Sequence, residues 1–115
     1  MAGAWQFSVT EPKALQSRRL SIPICQLGPE LFSAFVEDAF MAGLLHLDGK
    51  FAFIVHQYVG QKKSVWTLWG DLTKTELEGY YKPWDSTFFY AVKLEGRRIG
   101  PVPRDVDCPP GFRKE

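Results

Sequence analysis

The chain has 115 residues, of which 45% are hydrophobic, 15% aromatic and 23% charged, with a formal net charge of +1. That length fits one domain around one core, and the hydrophobic content excludes global disorder, which needs low hydrophobicity and high net charge. A balance so near zero excludes a mode of life governed by bulk electrostatics, such as coating nucleic acid by charge alone.

In Ala4 to Thr10, Trp5, Phe7 and Val9 alternate with Ala4, Gln6 and Ser8. A period of two predicts a half-buried strand, broken at Glu11-Pro12. Leu20 to Leu27 alternates again, but Pro23 removes a ladder donor from its middle, which suits a sheet edge or a bulge. Gly28-Pro29-Glu30 then opens a stretch to about Leu47 in which Glu30, Ser33 and Glu37 recur at helical spacing among apolar residues. Proline is pre-organised for a first helical turn and the acid suits the positive end of the dipole. This pattern predicts one dominant helix over residues 30–47, lying across a sheet.

Phe51 to Val59 is apolar on both faces, as strands interior to a sheet are, and Gly60 to Lys63 forms a polar turn into a return strand, Ser64 to Trp69. Asp71 to Tyr81 is ambiguous: Thr73 stands three residues before Glu76, a capping-box spacing for a short helix, and a long loop fits equally. Ser86 to Glu95 reads as the last strand. Beyond Gly96, Pro101, Pro103, Pro109 and Pro110 predict an extended segment. The expectation is therefore α+β: an antiparallel sheet of four to five strands packed on one dominant helix, residues 1–96, followed by an extended Pro-rich C-terminal segment, 97–115. That segment reads either as an arm for a partner or as a strap over its own domain.

The sites of common chemistry are missing. Two histidines, His46 and His56, and two isolated cysteines, Cys25 and Cys108, do not make a metal site. Neither a phosphate-cradling glycine loop nor a nucleophile elbow is present, and no cofactor is implied. Two distant cysteines fit the reducing cytosol, although a single bridge between them is also compatible. The N-terminus lacks the basic and apolar regions of a secretory signal, and no stretch is long and apolar enough for a spanning helix. A cytoplasmic protein is expected.

By elimination the sequence points to a non-enzymatic protein-binding module, of the small inhibitor, immunity or anti-defence kind that occludes a partner. Its surplus of rings lies around Gly79-Tyr80-Tyr81-Lys82-Pro83-Trp84-Asp85, and such rings are favoured anchors at interfaces. Tyr80, Tyr81, Trp84, Trp69, Arg97 and Arg98 are the expected partner-binding residues; the alternative role for the 79–85 rings is a lid on the core. Two competing functions are a small enzyme or enzyme subunit pairing His56 with a carboxylate such as Asp71 or Asp85, and a single-stranded nucleic-acid binder. The latter would use the Lys62-Lys63 turn, the basic tail and stacking rings such as Trp66 and Tyr90. Thirteen acids stand against it.

Overall fold

The structure is a computed structural model and describes residues 1–9, 18–36, 39–83 and 92–115. These residues form eight strands: β1 (Gly3–Val9), β2 (Arg18–Leu27), β3 (Glu30–Val36), β4 (Ala39–Leu45), β5 (Lys50–Val59), β6 (Lys62–Leu72), β7 (Glu76–Pro83) and β8 (Val92–Gly100). Each strand pairs antiparallel with its neighbours in sequence, and β8 returns to pair with β1, so the sheet closes into a barrel.

The expected α+β fold is overturned. Among the described residues there is no helix, and the segment expected to be the dominant helix is the β3–β4 hairpin, with Leu31 opposite Gly43 and Ser33 opposite Met41. Gly28-Pro29 is not a helix start but a two-residue turn, with Gly28 at φ 56°, the positive dihedral that tight hairpins demand. Leu31 points into the barrel and is buried, whereas Phe32 points outward and meets the Phe112 ring edge-on at 6.4 Å. A strand covered on both sides loses its alternation, and that loss imitated the narrow polar stripe of a buried helix. The ambiguous stretch from Asp71 is also a hairpin. Thr73 Oγ1 accepts the Glu76 N–H at 3.2 Å, but across a turn between β6 and β7. Pro23 lies on β2 beyond its ladder with β3, which covers Cys25 to Leu27.

The core fills the barrel. Trp5, Phe7, Ile22, Ile24, Leu31, Phe51, Phe53, Leu68, Leu77 and Leu94 all point inward and are buried, each contributing roughly 1.5–3 kcal/mol by leaving water. At one end, here the base, the Trp5 indole donates to the Met1 carbonyl at 2.7 Å and the Arg98 Nε donates to the Ala2 carbonyl at 3.1 Å. Gln26 satisfies its buried amide there by accepting from the Met1 ammonium and the Ala2 N–H while donating to the Gly28 carbonyl. Burial, then the charges of Arg113 and Arg98, hold that ammonium below its ordinary 8.0.

The sheet continues to Gly100, past the Gly96 boundary read from sequence, and residues 101–115 strap the outside of β2 and β3. Gln26 and Arg113 exchange two backbone hydrogen bonds at 3.0 and 2.6 Å, and a disulfide joins Cys108 to Cys25, whose side chain is fully buried. Of the two roles expected for the tail, the strap over its own domain is the one observed. No helix is long and apolar enough to cross a membrane.

Candidate functional site

Along the barrel axis the interior changes character. Near the base, Trp5, Phe51, Phe53 and Leu77 are at most 2% exposed. Toward the far end, where Gly60-Gln61 links β5 to β6, the inward residues Val55, Gln57, Trp66, Tyr81 and Pro83 are only partly buried. The pairing brings them together: Val55 is in register with Trp66, Trp66 with Pro83, and Leu68 with Tyr81. The Trp66 and Tyr81 rings lie 5.3 Å apart. The Trp66 Nε1–H is buried and has no hydrogen-bond partner, a state costing about 1–3 kcal/mol. What gathers here is an aromatic wall, an amide side chain and one unsatisfied donor, a set suited to an apolar molecule with a single acceptor.

The outer face presents a second feature. Strict alternation puts Leu44, Ala52, Trp69 and Tyr80 in one cross-strand row over β4 to β7. Leu44 is 49% and Tyr80 44% exposed, and Ile54, one row further, is 40% exposed. Trp69 and Tyr80 lie 6.2 Å apart, with the Lys82 ammonium 6.0 Å above the indole. Contiguous apolar exposure of this kind marks interaction surfaces.

The residues expected from sequence are thus divided. Trp69 and Tyr80 come together on the outside. Tyr81 turns inward, since neighbours on a strand face opposite ways. Arg98 points to the base, and Arg97 lies in a polar groove of about 380 Å³ with Gln6, Ser8, Glu76, Glu78 and Glu95. Trp84 and Asp85 lie outside the described residues, as do the stacking candidates Phe89 and Tyr90. Sequence reading missed Leu44, placed in a helix, and took Trp66 only for a stacking surface; the available signal was an apolar second face on β5, which a central strand of an open sheet also shows.

His56 faces outward on β5 and stacks on Phe40, with ring centroids 4.6 Å apart and planes within 10°. Its Nδ1 is buried without a partner. Asp71 is no partner for it, being paired with Lys50 in the β5–β6 register while His56 pairs with Val65. That offset of six residues is about 20 Å along the strand. The basic residues are separated as well: Lys62 and Lys63 start β6 at the far end, with Lys63 over the Tyr58 ring at 5.9 Å, whereas Arg113 is tied to Gln26 at the base. Among the described residues no group of three His, Cys, Asp or Glu side chains could hold a metal ion. Comparison with family models, with curated proteins and with solved structures finds no match to this chain.

Proposed function

We propose that the protein binds a small, largely apolar molecule carrying one hydrogen-bond acceptor, such as a carbonyl, in the far half of its barrel. Eight antiparallel strands enclose a space that side chains either fill or leave for one small ligand. Here the base half is filled and the far half is lined by partly buried rings. The observation that carries the proposal is the Trp66 Nε1–H, a buried donor without an acceptor amid those rings. A bound carbonyl would satisfy it and cover the exposed edges of Val55 and Tyr81.

Two pairs of matched probes test this, acetophenone against ethylbenzene and cyclohexanone against methylcyclohexane, each competing with anilinonaphthalene sulfonate. The expected result is displacement by all four, with each ketone favoured about fivefold over its hydrocarbon, the yield of one net hydrogen bond. In Trp66→Phe the apolar wall persists and the ketone preference disappears. Absence of displacement would remove the ligand-binding function, and an undiminished preference in Trp66→Phe would remove the role given to the indole.

A second function is supported by the outer face, where Trp69 and Tyr80 form an exposed pair of the type that anchors protein partners. Docking of a protein on this row keeps the non-enzymatic binding function expected from the sequence, with Trp69 and Tyr80 as anchors. For either function the Cys25–Cys108 bridge favours an oxidising compartment over the cytoplasm.

A further inference from the structure

We infer that the β4–β7 outer face is a two-fold interface between two copies of this chain; the inference rests on the docking function proposed for that face and names its occupant. The row Leu44–Ala52–Trp69–Tyr80 crosses four strands without a charge. Charges flank it with opposite sign on opposite sides. On β7, Glu78 lies two residues toward the base from Tyr80 and Lys82 two residues toward the far end. Asp71, in register with Glu78, extends the acidic side onto β6. No ion pair within the chain engages Glu78, Lys82 or Asp71 among the described residues.

A face with this layout is complementary to itself. When two sheets pack face to face under two-fold symmetry, the axis lies in the plane between them, and the same patch serves both copies. An axis along the apolar row lays each row residue against its own counterpart. It also exchanges the two flanks, so that Lys82 meets the partner's Glu78 and Glu78 meets the partner's Lys82. The exposed halves of Leu44 and Tyr80 are covered in the same step. A dissimilar partner would not require acids and lysine to be equidistant from an uncharged row; a second copy does.

Sedimentation velocity of the disulfide-bonded chain over a concentration series tests this, in low salt and with three variants, Glu78→Lys, Lys82→Glu and the double exchange. Both sites are on the surface of β7, and melting temperature confirms that each variant folds. The expected result is a dimer of the 13.1 kDa chain, weakened about tenfold or more by either single reversal, because like charges then face each other. The double exchange restores the dimer, since the pairs are re-formed with inverted sign. A dimer indifferent to the single reversals, or not restored by the double exchange, overturns this interface. A monomer throughout overturns the second copy as occupant. If that monomer forms a stoichiometric complex with another protein that Trp69→Lys abolishes, the docking function survives without the dimer; if it forms none, both fall.

Discussion

Gly43→Ala is expected to destabilise the protein by about 3 kcal/mol, at the upper end of what overpacking costs. Gly43 lies on the inner side of β4, in register with Leu31 of β3 and Phe53 of β5. A Cβ built there would fall on the carbonyl oxygen of Ala52 and crowd the Phe53 backbone. Backbone held in two ladders cannot yield as a flexible side chain can, so β4 and β5 must separate to admit one methyl group. The sign of the effect is as informative as its size. In a helix over residues 30–47 the same substitution would be stabilising by roughly 1 kcal/mol, the propensity difference between glycine and alanine. A urea midpoint that falls in Gly43→Ala supports the hairpin; one that rises contradicts it.

Reducing the Cys25–Cys108 bridge is expected to cost about 3 kcal/mol, within the usual range for a cross-link. The two cysteines are 83 residues apart in sequence, so the bridge restricts most of the unfolded chain. Loop-closure entropy for that span gives roughly 4–5 kcal/mol. Part of this is not realised, because the reduced strap keeps local attachments in the Gln26–Arg113 hydrogen bonds and the Phe32–Phe112 contact. Denaturant unfolding with and without reductant gives the difference, and Cys25→Ser/Cys108→Ser must reproduce the reduced value. Hydrogen exchange adds a local signature: the Arg113 amide loses protection before those of β5 and β6. An unchanged midpoint under reductant would show that the strap does not depend on the bridge.

Where one face of a strand is wet, the sequence is easily read. Trp5 and Phe7 alternate with Gln6 and Ser8, and β1 was legible because Gln6 and Ser8 line an outer groove. The β5–β6 hairpin was legible from Gly60, whose φ of 62° the turn requires. The β3–β4 hairpin was not, and the reason is non-local. Phe32 is roofed by Phe112, eighty residues later, and no window around residue 32 contains that cover. The spacing of Thr73 and Glu76 was seen, but a helix cap and a hairpin turn place a hydroxyl and an N–H at the same separation. The candidate sites follow the same logic. Tyr80 and Tyr81 looked like one aromatic cluster, yet adjacent strand residues serve opposite faces, so Tyr80 joins Trp69 outside while Tyr81 joins Trp66 inside. Register, which composition cannot supply, decides those partnerships.

The ligand-binding account is tested most directly by the indole N–H signals of the protein during an acetophenone titration, with the Trp66 signal assigned by its loss in Trp66→Phe. The Trp66 Nε1–H is predicted to move saturably downfield, as a donor acquiring an acceptor does, while the Trp69 signal on the outer face stays in place. A Trp66 signal that stays fixed through the titration, or a shift confined to Trp69, would contradict the account.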